Sequence, residues 1–291
     1  MVARLVVTKD TEELLFDTSK ICYGLVKSGN LAFIENWARY YLRSAQLDPS
    51  DGASWAPESD PQRGDPAYGF TVTNALSPIV FITGPGCLNG VSRSGSSMTF
   101  IYINADANTR FYCFDLMADN IPGSPYLKTR LEDGRISFNS LQPPLNVLAA
   151  VQAPPPPAHP PAWPDWWGTT YSGGYNVQRR GLVAPNYSPA LDSRVDIGLA
   201  GEEYAAYLPW ARSAVCLNGS ADTGLTVTVS EGAYGRVGGI SFMFGAAGAT
   251  TKGNTPSGPG TPSGNSFRNI PTDRYPTALV IRTAGLPFPY Q

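Results

Sequence analysis

Residues 126–140, YLKTRLEDGRISFNS, decide the fold, because two short strand-like runs flank the turn Asp133-Gly134. Aspartate followed by glycine is typical of tight hairpin turns, since both residues accept the positive φ that such turns need. A second stretch of this kind opens the chain: in residues 4–18, RLVVTKDTEELLFDT, strand-like runs flank a polar turn. Both stretches therefore predict antiparallel β-hairpins.

The two hairpin stretches are related by a shift of 122 positions, which matches Leu5 with Leu127 and Phe16-Asp17-Thr18 with residues 138–140. The tetrapeptide Cys-Leu-Asn-Gly also occurs twice, at 87–90 and 216–219, and strand-like sequence follows each copy. We therefore expect a duplicated β unit, with one module at 1–150 and a second at 168–291.

The composition favours the same fold class. The 291 residues include 30 glycines and 27 prolines, and only 15% are charged, against about 25% in typical domains. So many helix breakers exclude a helical bundle or a coiled coil. The 15 tyrosines, 12 phenylalanines and 6 tryptophans supply a core that a disordered chain lacks. We predict an all-β or β-dominated protein whose two modules are antiparallel and sandwich-like or barrel-like.

One segment is ambiguous between helix and strand. In residues 31–46 the large residues Phe33, Ile34, Trp37, Tyr40 and Tyr41 recur near helical spacing. Aromatic and β-branched residues nevertheless favour strands. The sequence therefore predicts at most one substantial helix, at 31–46, with a strand as the alternative.

Proline-rich sequence separates the two predicted modules. Residues 154–164, PPPPAHPPAWP, contain seven prolines and favour a stiff polyproline II rod. We assign 151–167 to a linker that holds the second module away from the first. Residues 245–264, rich in Gly, Ser, Thr and Pro, predict an exposed loop for contact with a partner or a host.

Charge and cysteine usage exclude several classes of partner. The formal net charge is −2 and no basic stripe occurs, which argues against nucleic-acid binding. The four cysteines lack the C-x-x-C spacing of zinc or redox sites and are expected to be buried thiols. No run of 18 apolar residues and no signal peptide is found, so we expect no membrane span and no secretion by the usual route.

Residues that could support catalysis are few. The single histidine, His159, lies inside the proline run, so we expect a solvated residue and neither a Ser–His nor a Cys–His mechanism. Metal sites that need imidazole or paired thiolates are not expected, and no cofactor is predicted. A glycosidase needs only two carboxylates, and the sequence offers several acidic residues without a pattern that selects any of them: Glu12, Glu13, Asp115, Asp119, Asp165, Glu202 and Glu203.

The strongest candidate for a contact site is an aromatic cluster at the end of the proline run. Exposed aromatic rings stack on sugars and anchor protein interfaces, whereas buried rings would dock the rod onto the second module. Both alternatives stay open from the sequence. The candidate residues are Trp163, Trp166, Trp167, Tyr171 and Tyr175.

Four short motifs lie in residues 1–150: the hairpin that ends in Phe16-Asp17-Thr18, its second copy at 134–141, the strand-like run 78–82 (PIVFI) and the tyrosine-containing strand 112–115 (YCFD). Together these motifs resemble tail-tip and tail-fibre proteins of long-tailed bacteriophages. The resemblance implies a virion protein that is synthesised in a host cytoplasm, lies in the phage tail and is released by lysis. It implies further that the module 1–150 anchors the protein in the assembly and that the module 168–291 is exposed. It also implies a homo-oligomer, with a trimer as the expected number, in contact with other tail-tip or baseplate proteins.

Three functions follow as hypotheses. The first is a non-enzymatic tail-fibre or receptor-binding component that mediates host adsorption through a bacterial surface receptor or glycan. The second is a purely structural baseplate protein that anchors another receptor-binding fibre. The third and most remote is a depolymerase that acts on surface glycans.

Overall fold

A computed structural model describes residues 6–8, 10, 12, 14–17, 20–37, 40–42, 55–57, 65–119, 121–159, 166–178, 191–218, 225–247, 251–254 and 266–290. Every regular element in these ranges is a β-strand, so the predicted all-β class is confirmed. The same ranges contain no helix with the length and hydropathy that crossing a membrane requires.

The strands follow one another with short connections in much of the described chain. Their bounds are β1 (Val6–Thr8), β2 (Leu14–Asp17), β3 (Tyr23–Asn30), β4 (Ala32–Trp37), β5 (Tyr40–Leu42), β6 (Trp55–Pro57), β7 (Asp65–Thr73), β8 (Ile79–Thr83), β9 (Cys87–Ser94), β10 (Ser97–Ile103), β11 (Arg110–Leu116), β12 (Lys128–Arg130), β13 (Ile136–Asn139), β14 (Ala149–Gln152), β15 (Trp166–Trp167), β16 (Tyr175–Gln178), β17 (Leu191–Tyr207), β18 (Ser213–Asn218), β19 (Leu225–Ala246), β20 (Thr251–Asn254), β21 (Ser266–Arg268) and β22 (Thr277–Arg282).

The described residues of the segment 31–46 form strands, apart from Leu31. Residues 32–37 are β4, which pairs with β7, and residues 40–42 are β5. The helical alternative is therefore wrong for these residues. Pairing with β7 satisfies the backbone groups along one edge of β4, and a strand suits aromatic and β-branched side chains better than a helix does.

The strands form four antiparallel sheets, with parallel contacts only between β8 and β19 and between β5 and β20. Two are the predicted hairpins, β1–β2 and β12–β13. A four-stranded sheet has the order β4-β7-β10-β9, and a large sheet of fourteen strands contains β14-β22-β17-β8-β19-β18-β21-β15 as its main path. No sheet is closed among these strands, so the predicted sandwich-like or barrel-like form remains a prediction.

The two hairpins have the same register. Val6 pairs with Asp17, and 122 positions later Lys128 pairs with Asn139. Each hairpin also carries an irregularity before its third pair, which is Thr8 with Leu14 in one and Arg130 with Ile136 in the other. The repeat seen in the sequence is therefore a repeat in backbone pairing as well.

The repeat extends to the strands that follow each hairpin. In the first half β11 lies between β3 and β8, and Tyr112 pairs with Ser28 on one side and Phe81 on the other. In the second half β22 lies between β14 and β17, and Leu279 pairs with Ala150 and Tyr207. These pairs make three strands of the first half equivalent to three of the second. The shift in residue number is 122 from β3 to β14, 167 from β11 to β22 and 126 from β8 to the end of β17. The neighbouring residue pairs of these strands have the same three shifts.

The two halves meet in one continuous sheet, where Ala206 of β17 pairs with Ile82 of β8. A core cluster at this junction contains five pairs of equivalent residues: Tyr23 and Leu145, Ile79 and Ala205, Phe81 and Tyr207, Tyr112 and Leu279, and Phe114 and Ile281. We call this cluster the junction core. Two larger clusters lie on either side of it, one built mainly from each half.

This arrangement does not hold the predicted modules 1–150 and 168–291 apart. Since β14 is hydrogen-bonded to β22, the pairing groups β14 with the second half, although β14 belongs to the predicted module 1–150. The proline segment then lies within that half instead of between two separate bodies. Its described residues pack on the second half: the N–H of Ala153 donates to the carbonyl of Pro276, and that of Ser172 donates to the carbonyl of Pro155. The expected separation by a free rod is therefore not confirmed.

The expected partner-binding loop, 245–264, is described only at 245–247 and 251–254. Residues 245–246 end β19 and residues 251–254 form β20, which pairs with β19. The rest of this loop lies outside the described residues, and its contact with a host or partner stays a prediction.

Candidate functional site

The predicted aromatic site splits into buried and exposed members. Trp163 lies outside the described residues. Trp166 is half-buried beneath the guanidinium of Arg268, which lies 5.4 Å from the ring centroid. Trp167 is buried, and its Nε1 donates to the carbonyl of Pro157 at 3.1 Å. Both tryptophans belong to β15, whose pairing with β21 places them on the second half of the protein.

The two tyrosines of the aromatic site also lie in different environments. Tyr171 is fully buried, with its ring centroid 6.2 Å from that of Phe242 and 5.6 Å from that of Phe244. Tyr175 is 43% exposed and donates its hydroxyl to Asp196 at 3.2 Å. The five aromatic residues do not share one surface. Among the described members, Trp167 and Tyr171 serve packing, and Tyr175 is the one that is openly exposed.

Beneath these aromatic rings lies a buried ion pair that the sequence analysis missed. The side chains of Arg212 and Glu231 are both inaccessible to solvent, and two guanidinium nitrogens donate to the carboxylate at 2.8 Å. The hydroxyl of Tyr171 donates to the same carboxylate at 2.8 Å. Arg212 also donates to the carbonyl of Pro271 and lies 5.1 Å from the ring centroid of Tyr275. No sequence pattern marks this pair, because 19 positions separate its members along different strands and turns.

The ion pair connects the residue before β18 with β19, and neither of its side chains is accessible to solvent. Burial raises the pKa of Tyr171 well above its usual value, and the neighbouring Glu231 carboxylate raises it further. Tyr171 therefore stays protonated as a donor. The Glu231 carboxylate accepts from Arg212 and Tyr171, so both of its oxygens are used. A buried charge pair with its hydrogen bonds complete is typical of a structural role.

The four cysteines are free thiols, and three of them are buried as expected: Cys87, Cys113 and Cys216. Burial raises the pKa of Cys113 above its usual range and that of Cys216 to about 12, with Asp115 and Asp192 adding to the respective shifts. Cys22 is only partly buried. A reactive cysteine needs a lowered pKa and access to solvent, so these buried thiols are inert.

His159 differs from the expectation of a histidine without packed partners. Its ring centroid lies 4.1 Å from that of Trp167, although the residue is exposed. The contact gives the histidine a packing role at the surface. Within the described residues, no group of three or more His, Cys, Asp or Glu side chains could hold a metal ion.

The described acidic candidates occupy ion pairs and turns. Asp115 accepts from the backbone N–H groups of Leu76 and Ser77 at 2.6 and 2.8 Å. Hydrogen bonds from Lys128 and Arg130 lower the pKa of Asp119. Burial raises the pKa of Glu203, but hydrogen bonds from Thr283 and Arg110 outweigh it and lower the value. Lowered pKa values are the opposite of what a general acid requires. Glu202 pairs with Arg282, whereas Glu13 and Asp165 lie outside the described residues and Glu12 is exposed.

An open apolar groove lies beside the first-half core. Two adjoining cavities of about 340 and 160 Å³ share Val80, Leu88, Tyr102 and Tyr207. Large apolar side chains stand exposed along its rim: Leu76 (72%), Val91 (41%) and Trp210 (45%). We call this feature the apolar groove. Exposed apolar surface of this kind is typical of an interaction site.

Comparison with protein-family models, with characterised proteins and with solved structures gave no match to this chain.

Proposed function

We propose that this protein is a non-enzymatic structural component of a bacteriophage tail tip that takes part in host adsorption. The observation that supports it best is a contrast between two places: the charged and hydroxyl groups buried beneath the aromatic site bind one another, while the groove beside the first-half core is lined mainly by apolar side chains. Arg212, Glu231 and Tyr171 illustrate the first point, and the apolar groove illustrates the second. Such a protein is suited to binding other proteins in an assembly.

The alternative of a baseplate protein that anchors another fibre is favoured by one specific observation. Trp167 and Tyr171, two of the predicted host-contact residues, are buried within the second half. Buried rings stabilise the protein and leave less aromatic surface for a receptor. Under both proposals the protein is part of the virion and assembles with copies of itself, as a trimer by the motif resemblance, and with neighbouring tail proteins.

Antibody-labelling electron microscopy of purified phage particles tests the location. We expect label at the tail end, in symmetric copies. Label at the distal tip together with loss of adsorption in a Tyr175→Ala particle supports the adsorption role, since Tyr175 is exposed and its removal leaves the core intact. Label nearer the tail tube, with normal adsorption of the same variant, supports anchoring. Absence of the protein from purified particles would contradict both.

A further inference from the structure

The hairpin β9–β10 of the first half has a counterpart in the second half. The N–H of Ala247 donates to the carbonyl of Thr228 at 3.0 Å, so β19 must fold back on itself between these residues. Gly238 and Gly239, with φ of +80° and +152°, lie at the middle of this segment. Glycine accepts such angles without strain, which allows a sharp reversal. Both halves therefore present a folded-back pair of strands to the junction.

These counterparts cover equivalent strands. Val80 of β8 belongs to the same core cluster as Phe100 and Tyr102 of β10. Its equivalent in the second half, Ala206, belongs to the same cluster as Phe242 and Phe244 of β19. In both halves, therefore, a strand that carries two aromatic residues packs in the same cluster as the equivalent residue, Val80 or Ala206.

The two core clusters differ in whether a further chain segment covers them. In the second half Tyr171 lies against Phe242 and Phe244, and Trp167 belongs to the same cluster. Both residues follow the proline segment that is inserted between β14 and β16. In the first half β3 runs into β4 with a single intervening residue, Leu31. There Val80, Phe100 and Tyr102 line the apolar groove.

The charge of the groove adds a second requirement on its occupant. Arg93 lines the groove and forms no ion pair with the described residues. The other charged group of the lining, Glu231, is already bound by Arg212 and Tyr171. Among the residues that the structure describes, the groove therefore carries one unpaired positive charge, which favours an occupant with a carboxylate.

We propose that the apolar groove binds an extended segment of a partner polypeptide that carries large aromatic residues and a carboxylate near Arg93. In the second half, the segment with Trp167 and Tyr171 packs on the core cluster that is equivalent to the one beside the groove. Its aromatic side chains indicate what kind of segment suits the groove. The aromatic side chains enter the groove between Val80 and Val91, and the carboxylate pairs with Arg93. The inference rests on the proposed function, because it identifies where a neighbouring tail protein docks.

A peptide with the sequence of residues 163–175, WPDWWGTTYSGGY, serves as the probe, since it contains the aromatic residues together with Asp165. Fluorescence anisotropy of the labelled peptide against the purified full chain is expected to show saturable binding. Val91→Asp and Arg93→Glu should each weaken binding at least about tenfold, which is 1.4 kcal/mol. Val147→Asp is the matched control, because Val147 has the same 41% exposure as Val91 but does not line the groove.

A probe peptide with Asp165→Asn should bind the wild-type protein more weakly than the parent peptide does. The same two peptides should bind the Arg93→Glu protein equally well, or the Asn peptide better, because the charge pair is then absent. Absence of saturable binding up to about 1 mM, or equal weakening by Val147→Asp, would overturn the proposal. Sedimentation equilibrium adds a further test. If Val91→Asp converts an oligomer to a monomer, the groove binds a second copy of this chain, and the proposal that it binds a different polypeptide is contradicted. Peptide binding uses purified protein, so its failure is distinguishable from a failure of particle labelling.

Discussion

The ring centroids of Phe81 and Tyr207 lie 5.8 Å apart, and the two residues occupy equivalent positions of the repeated halves. Next to them Ile82 pairs with Ala206 in antiparallel orientation. The end of β17 and β8 are thus equivalent strands that run antiparallel, with the equivalent residues Phe81 and Tyr207 facing each other at the centre of the contact. An isologous dimer interface has the same form, because the same surface of each subunit contacts the other. The chain therefore resembles a dimer of β units joined covalently, with the junction core as its interface.

Replacement of Phe81 tests this junction. Phe81→Ala should lower the free energy of unfolding by about 3–5 kcal/mol, because the ring is fully buried between the halves. Tyr207→Phe keeps the ring and should change the value by less than about 1 kcal/mol. Chemical denaturation measures both. A loss below about 1 kcal/mol for Phe81→Ala would show that the two halves do not depend on this contact.

Much of the fold could be predicted from local sequence, but the contacts between distant strands could not. The shift of 122 positions and the Asp133-Gly134 turn mark both hairpins correctly, since hairpin register depends on nearby residues. The pairing of β14 with β22 has no local signal, because its members are more than 120 positions apart. Without that pairing the proline segment looks like a linker between modules.

The aromatic candidates show the same limit at the site. Their clustering in sequence is evident, but burial depends on what packs over each ring. Tyr171 is buried because Phe242 and Phe244 lie beneath it, and these residues belong to a strand that is remote in sequence. Arg212 and Glu231 were missed for the same reason, since a charged residue enters a core only when its partner is brought there by the fold.

The buried ion pair gives a second prediction. Glu231→Gln should lower the free energy of unfolding by about 3–5 kcal/mol, because it leaves the Arg212 charge buried without its counter-charge. The double variant Arg212→Met with Glu231→Gln should recover part of this loss. Asp133→Asn, which removes an exposed ion pair with Arg135, should leave the denaturation midpoint nearly unchanged. Equal effects of Glu231→Gln and Asp133→Asn would contradict a structural role for the buried pair.

Alkaline pH should destabilise the protein. Burial raises the pKa of Cys113 above its usual range and that of Cys216 to about 12, compared with an ordinary value of 9.0. Above pH 9 the unfolded chain therefore releases protons that the folded chain retains, so stability falls as the pH rises from about 9 to 12. Thermal melts across this range measure the slope, and Cys216→Ala should reduce it. A stability that is constant between pH 8 and 11 would contradict this linkage.

The contact between His159 and Trp167 predicts unequal roles for its members. Trp167→Ala should cost about 3–5 kcal/mol, because the buried indole and its hydrogen bond to Pro157 are both lost. His159→Ala should change stability by less than about 1 kcal/mol and leave infectivity unchanged, because the exposed imidazole loses only one ring contact. Denaturation together with plaque counts checks both expectations. A large loss of infectivity for His159→Ala would assign the residue a role beyond packing.

Asp115 and Arg282 occupy equivalent positions of the repeat, 167 residues apart. Each side chain contacts the segment that leads into the strand at the junction, which is β8 in the first half and the end of β17 in the second. Asp115 accepts from the N–H groups of Leu76 and Ser77 while buried, whereas Arg282 forms a half-exposed ion pair with Glu202, the equivalent of Leu76.

Asp115→Ala removes the acceptor of three backbone N–H groups, those of Leu76, Ser77 and Leu116, and should cost about 2–5 kcal/mol. Arg282→Ala should cost less than about 1 kcal/mol, because a half-exposed ion pair contributes little. Since Leu76 borders the apolar groove, Asp115→Ala should also weaken binding of the probe peptide, and Arg282→Ala should not. Denaturation and anisotropy on the same two variants separate these effects. Equal peptide binding by both variants would show that the Leu76 rim does not shape the groove.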